Sequence, residues 1–110
     1  MRRVPAFLMR QFSVCRLKGR SGTLSGRLVV VLQHDLLSDL RTRIVAPLLS
    51  LTEADAIGRI APEVAFGGRR YRLCLYELMT IDISSLSEPS GTVDVHDAVM
   101  RGIDQIFAGV

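Results

Sequence analysis

The stretch RLVVVLQHDLLSDLRTRIVAPLL, residues 27–49, decides the fold of this 110-residue chain. Two runs of aliphatic residues, 27–33 and 43–49, flank the more polar segment HDLLSDL. β-Branched residues favour extended backbone, and a run that is apolar at successive positions is typical of a strand buried on both faces. We therefore predict a central strand at 27–33 and another strand at 43–49. Pro47 indicates a sheet edge, a bulge or the end of a strand.

Towards the N-terminus, the pattern continues as one strand and one loop. QFSVCRL, residues 11–17, alternates loosely, with Phe12 and Val14 on one face, and predicts a first strand. KGRSGTLSG, residues 18–26, is rich in glycine and serine and predicts a loop.

Towards the C-terminus, a hairpin is the next recognisable unit. In EVAFGGRRYRLCLYELMTI, residues 63–81, the pair Gly67–Gly68 suits the positive φ angles of a tight turn, and the second strand is expected to be long. Before it, residues 51–57 suit a short helical turn capped by Ser50 or Thr52.

The end of the chain has the clearest helical pattern. One apolar face recurs at helical spacing, with Asp94 as the expected N-cap and Asp97 in the first turn. The residues of this face are Val95, Val99, Ile103, Ile106, Phe107 and Val110. Short strands followed by one helix predict a mainly β fold, a small antiparallel barrel or sheet closed by a C-terminal α-helix.

Composition limits the class of protein. Hydrophobic residues make up 48% of the chain, which is enough for one domain with a core. The net charge is +3, but residues 1–43 carry nine basic and two acidic side chains while residues 44–110 carry five basic and nine acidic ones. Such a split suits nucleic acid, an acidic protein partner, self-association or simply a solvated basic surface. Cys15 and Cys74 fit buried free thiols. Without a signal peptide or a membrane-spanning run, we expect a cytoplasmic protein with no membrane partner.

The usual signatures of catalysis are not recognisable in the sequence. The glycine-rich loop lacks the phosphate-binding pattern, and no cysteine, histidine or serine has the spacing of a nucleophile or metal site. The pairs His34–Asp35 and His96–Asp97 are adjacent, so we do not expect their side chains to face each other. We therefore predict a binding protein that is not an enzyme and holds no cofactor or metal.

Four motifs in order resemble the CcdB family of toxins from toxin–antitoxin systems. They are QFSV near the start, VLQHDLLSDLRTRIVAPLL in the middle, FGGRRYRLCLYELMTID in the hairpin and IDQIFAGV at the end. The resemblance covers residues 11–110 as the toxin domain and leaves residues 1–10 as an N-terminal extension, disordered or a misassigned start with Met9 as the true beginning. It implies a small SH3-like antiparallel β-barrel that forms a homodimer and is not an enzyme.

The resemblance also implies partners. Members of the family bind the A subunit of DNA gyrase and trap its cleaved complex with DNA, and a cognate CcdA-like antitoxin neutralises them through an acidic segment. Operator DNA is contacted only indirectly, through the antitoxin, as the pair represses its own operon. The gyrase-binding positions implied here are Leu36, Leu37, Asp104, Phe107, Ala108, Gly109 and Val110. The basic residues Arg16, Lys18 and Arg20 are candidates for binding the antitoxin.

Two positions depart from the family pattern. Ala108 stands where the best-known members have a tryptophan that stacks on a gyrase arginine, and Asp104 stands where an amide is familiar. This leaves open a weakened toxin that serves as an antitoxin-binding co-repressor. The related MazF-like RNA endonucleases are a further alternative, in which Arg43 and Thr80 would be the catalytic pair.

Overall fold

The computed structural model describes residues 9–19, 26–54 and 57–109. Within these ranges the chain forms seven strands and one α-helix, separated by four short 3-10 helices at Asp35–Leu37, Gly58–Ile60, Leu75–Glu77 and Ile83–Ser85. The strands are β1 (Ser13–Arg16), β2 (Leu28–Val31), β3 (Thr42–Ser50), β4 (Glu63–Phe66), β5 (Arg69–Leu73), β6 (Met79–Asp82) and β7 (Gly91–Thr92), and the helix α1 is His96–Ala108. Most of the predicted loop at 18–26 and residues 1–8 of the expected N-terminal extension lie outside the described residues.

All strand pairs are antiparallel and β3 is the centre of the sheet. The strand order is β4-β5-β3-β2-β1-β7, and β6 also pairs with β3. One edge of β3 pairs with β2, whereas its other edge pairs with β6 over residues 42–45 and with β5 over residues 48–50. The sheet therefore divides at β3 and forms a half-barrel. The predicted mainly β fold with a C-terminal helix is confirmed.

Pro47 lies inside β3, where that strand changes partner, and not at an edge, a bulge or an end. Its carbonyl accepts a hydrogen bond from the backbone N–H of Cys74 at 3.0 Å. Because the N–H and C=O of one strand residue point the same way, the missing N–H of Pro47 faces the gap between β6 and β5. The proline removes no ladder bond there, which explains how a central strand accommodates it.

The sheet carries apolar residues on both faces. One face packs with α1 around Val30, Leu48 and Val99, and the other packs with residues of the 83–86 segment around Val29 and Val31. All four residues of β2 are buried. The prediction of a central strand buried on both sides is therefore confirmed.

The predicted hairpin turn is confirmed, whereas the predicted helical turn at 51–57 is described only in part, because residues 55 and 56 lie outside the described residues. Gly67 and Gly68 have φ angles of 60° and 78° between β4 and β5, as a two-residue hairpin turn requires. At the end of β3, the Ser50 hydroxyl accepts from the N–H of Glu53 at 3.2 Å and donates to its carboxylate at 3.1 Å. Ser50, rather than Thr52, therefore caps the turn.

Three boundaries differ from the predictions. The first strand begins at Ser13, because residues 10–13 form a turn in which Phe12 has a φ of 67°. The long second hairpin strand is broken after Leu73 by the 3-10 helix at Leu75–Glu77. Helix α1 begins at His96 with Val95 as its N-cap and no side-chain cap, so the prediction of Asp94 as the cap was wrong.

Candidate functional site

The last turn of α1 presents a large apolar side chain to solvent. Phe107 is 75% exposed, and Asp104 and Ala108 on the same helix are exposed as well. Gly109 ends the helix with a φ of 72°, and its N–H donates to the carbonyl of Gln105 at 3.1 Å. The left-handed φ of Gly109 is the usual conformation of a helix C-cap, which favours glycine. Of the seven predicted gyrase-binding residues, Val110 lies outside the described residues.

This end of the helix is exposed because α1 meets the core only along its first half. Val95 and Val99 are buried in the core, and Ile103 packs partly against it. Gly102 lets the helix approach the backbone of Arg59 closely. The predicted apolar face is thus core at Val95 and Val99, partly buried at Ile103 and exposed at Ile106 and Phe107.

A second apolar projection lies between β2 and β3. We call residues 34–40 the leucine knuckle, because Leu36 is 86% exposed and Leu37 and Leu40 are about half exposed. His34 caps its 3-10 helix, since its Nδ1 accepts from the N–H of Leu36 at 3.0 Å. The predicted residues Leu36 and Leu37 are therefore both available to a partner.

A network of polar side chains beneath the leucine knuckle joins it to the rest of the protein. The amide of Gln33 donates to the carbonyls of Leu37 and Thr42, both at 3.2 Å. Asp35 accepts from the backbone N–H of Gln11 at 2.8 Å. Arg43 is only 2% exposed, and its guanidinium donates to several backbone carbonyls around the knuckle. Gln33 and Arg43 both belong to the motifs that carry the resemblance, but Gln33 was not predicted to be functional and Arg43 was predicted only as a catalytic residue of the nuclease alternative.

Within one protomer, the helix and the leucine knuckle do not pack extensively against each other. Within the described residues, α1 makes its extensive contacts with the turns at Gly58–Ile60 and Leu75–Glu77, and none of similar extent with the leucine knuckle. Beside the helix end lies an open depression of about 370 Å³ lined by Gly58, Arg59, Gln105 and Gly109.

The predicted antitoxin-binding residues lie at the end of β1. Arg16 and Lys18 are exposed, and the guanidinium of Arg16 donates to the carbonyl of Gly26 at 2.8 Å. The backbone N–H of Lys18 donates to Ser85 at 2.8 Å, which fixes this segment against the 83–86 turn. Arg20 lies outside the described residues.

Two buried thiols and one exposed histidine–carboxylate pair are the described groups closest to covalent or acid–base chemistry. Burial raises the pKa of the Cys15 thiol to about 11 and also raises the pKa of Cys74. The His96 and Asp97 side chains do approach each other, at 3.2 Å, contrary to the sequence expectation, but both are largely exposed. Among the described residues there is no group of three or more metal-ligating side chains, and no helix is long and apolar enough to cross a membrane.

The arrangement disfavours the nuclease alternative. Thr80 is exposed on β6, but Arg43 is buried and bonded to backbone carbonyls, so its guanidinium is not available to a substrate phosphate. What the geometry offers instead is two exposed apolar projections, each fixed to a well-packed body.

Comparison with known proteins agrees with this description. The family model described as CcdB protein matches residues 11–109, which is all of the chain except the first ten residues and the last. No curated protein matches the chain.

Proposed function

The chain belongs to the CcdB family, a family of toxins of toxin–antitoxin systems, and on this premise we propose that it binds the A subunit of DNA gyrase. In this proposal the protein acts by binding alone, without catalysis, and traps the cleaved complex of gyrase with DNA. The surfaces that bind are the last turn of α1 and the leucine knuckle.

The observation that carries the proposal is the exposure of Phe107 and Leu36. An exposed leucine or phenylalanine forgoes about 1.5–3 kcal/mol of burial free energy, and these two are among the most exposed large apolar side chains of the described residues. Both lie at positions that the family resemblance assigns to gyrase. Aromatic and apolar anchors of this kind commonly dominate the affinity of an interface.

Self-association and antitoxin binding belong to the same proposal. We propose a homodimer, in which a second copy covers apolar surface such as Met100 and Ile106, both exposed on α1. The dimer would also bring two copies of each binding surface to one gyrase A dimer. A cognate antitoxin with an acidic segment would neutralise the toxin and, through its own DNA-binding domain, repress the operon.

Ala108 decides how strong the poisoning is. This position is exposed beside Phe107, so a tryptophan can be accommodated there without disturbing the core. We expect Ala108→Trp to increase gyrase-mediated DNA cleavage by about tenfold or more, because an aromatic anchor at an interface commonly contributes ~2 kcal/mol. The measurement is the amount of linear DNA formed by gyrase of the source organism with ATP and each toxin variant.

One control and two alanine variants make this assay decisive. Glu88→Trp places the same ring on an exposed loop and should leave cleavage at the level of the unmodified protein. Leu36→Ala and Phe107→Ala should each reduce cleavage. If neither the native protein nor Ala108→Trp produces linear DNA, gyrase is not the target.

The absence of a tryptophan at position 108 also favours a second candidate function. With Ala108 and the charged Asp104 in the last turns of α1, the protein would serve mainly as an antitoxin-binding co-repressor. In that case only Ala108→Trp would produce linear DNA. Overexpression of the unmodified protein would be harmless, while antitoxin binding would remain tight.

A further inference from the structure

The leucine knuckle has little of its own to keep it in one shape. Its 3-10 helix has three residues and none of them is buried. Its internal bonds are all short-range: three join backbone groups, from Leu37 to His34, from Ser38 to Asp35 and from Leu40 to Leu37 at 3.0–3.1 Å, and one joins the N–H of Leu36 to the His34 side chain. A single 3-10 turn is a weak element in isolation, so its order must come from contacts behind it.

Those contacts come mainly from Arg43. Its Nη1 donates to the carbonyl of Leu40 at 2.7 Å, and its Nη2 donates to that of Ser38 at 3.0 Å. The Nε of the same side chain donates to the carbonyl of Met9 at 3.2 Å, which fixes the chain ahead of β1 to the knuckle. The planar guanidinium directs these donors in fixed directions, and bonds from a charged donor are stronger than neutral ones.

Gln33, just after β2, completes the arrangement. Its amide nitrogen donates to the carbonyl of Leu37 inside the knuckle and to that of Thr42 just after it, while its oxygen accepts from the N–H of Ile44 at 3.3 Å. The carbonyls of Leu37, Ser38 and Leu40 thus accept hydrogen bonds from two side chains that are themselves buried.

We propose that Arg43 and Gln33 are positioning residues that order the leucine knuckle before a partner arrives. A loop that is already in its bound shape does not lose that conformational freedom on association, so affinity rises without any new contact. Arg43 and Gln33 touch no partner in this proposal and act only through Leu36 and Leu37. The proposal rests on the function proposed above. It states which residues hold Leu36 and Leu37 in the conformation that binds gyrase.

The test compares Arg43→Lys and Gln33→Glu with the unmodified full-length protein. Lysine keeps the charge but cannot donate to Met9, Ser38 and Leu40 together, and glutamate replaces the donor nitrogen of Gln33 by an acceptor. Arg72→Lys is the matched control, because Arg72 is a partly buried arginine that, like Arg43, donates to a backbone carbonyl, in its case that of Ala61 at 2.9 Å. The two measurements are amide hydrogen exchange, peptide by peptide, and affinity for the gyrase A subunit.

We expect amides 36–40 to exchange about tenfold faster or more in Arg43→Lys and Gln33→Glu, while amides of β2 and of the central part of β3 are unchanged. Affinity for gyrase A should fall by about tenfold in the same variants. The Arg72→Lys control should change neither measurement at the knuckle. Because Gln33→Glu perturbs the knuckle without removing the buried arginine, it serves as the test if Arg43→Lys does not fold.

Other outcomes separate the two proposals. If exchange rises equally in β2 and β3, or if it does not rise at the knuckle in either variant, the positioning role is wrong. If Leu36→Asp abolishes gyrase binding but a loosened knuckle binds normally, the function stands and preorganisation is wrong. If the knuckle loosens as expected and neither Leu36→Asp nor Arg43→Lys affects gyrase binding, Arg43 does order the knuckle and the proposed function is wrong.

Discussion

At the scale of single residues, the two cysteines show that the core is shielded from water. Cys15 and Cys74 are free and fully buried. Burial raises the pKa of Cys15 from an ordinary value of 9.0 to about 11, because the thiolate is poorly solvated inside the sheet. The thiolate is the reactive form, so we expect no reaction of the native protein with a thiol reagent at pH 8.

The same shift of the Cys15 pKa predicts a pH dependence of stability. The folded pKa lies above the unfolded one, so the contribution of the thiol is complete below pH 9.0 and is lost as the pH rises through about 11. Chemical denaturation at a series of pH values, compared with Cys15→Ala, isolates this contribution. Full labelling in urea is the control, and rapid labelling of the native protein at pH 8 would contradict a dry core.

Residue types were easier to recognise in the sequence than their environments. Leu36, Leu37 and Phe107 stand out as apolar residues at family positions, and the structure places each of them on the surface. The burial of Arg43 could not be predicted, because an arginine beside an apolar run usually points to solvent. The Arg43 guanidinium donates to carbonyls of Met9 and of the knuckle, and these groups come together only in the folded chain.

At the scale of elements, the approach of α1 to the rest of the protein depends on Gly102. A Cβ built at this position would lie 2.7 Å from the carbonyl oxygen of Arg59 and would also collide with the side chain of Leu75. We expect Gly102→Ala to destabilise the protein by ~1–2 kcal/mol, since overpacking outweighs the gain of about 1 kcal/mol in helix propensity.

Thermal unfolding at fixed protein concentration measures this effect. A loss of this size corresponds to a fall in Tm of roughly 4–8 °C per kcal/mol for a domain of this length. Arg101→Ala is the control, because it introduces an alanine into the same helix at an exposed position and should change Tm little. A Tm for Gly102→Ala at or above that of the unmodified protein would show that the helix does not dock as described.

Local signals account for the elements that the sequence predicts well. The glycine pair fixes the hairpin, the β-branched run fixes β2, and the helical spacing of valines fixes α1. The break after Leu73 had no local signal, since residues 69–81 read as one extended run. It arises because β5 and β6 pair with different halves of β3, which is a property of the whole sheet.

At the scale of the whole molecule, the two candidate gyrase surfaces lie on elements that do not pack extensively against each other within one protomer. The sequence places Leu36 and Phe107 seventy-one positions apart and cannot say whether they meet. In the structure α1 packs against the turns at 58–60 and 75–77 instead of the leucine knuckle. In the proposed homodimer, a complete gyrase site would therefore combine the helix end of one copy with the knuckle of the other.

The uneven distribution of charge makes a prediction about the antitoxin. Arg16 and Lys18 are exposed within the basic first part of the chain, so we expect the double variant Arg16→Glu, Lys18→Glu to weaken antitoxin binding by about tenfold. The effect should shrink between 0.1 and about 0.5 M salt, because ions screen exposed charges.

Arg69→Glu, Arg70→Glu is the matched control, since it changes the net charge equally on the exposed β4–β5 hairpin. Calorimetric titration gives the affinities. Equal losses in the two double variants would mean that net charge alone matters, and an unchanged affinity for Arg16→Glu, Lys18→Glu would exclude this end of β1 from the antitoxin interface.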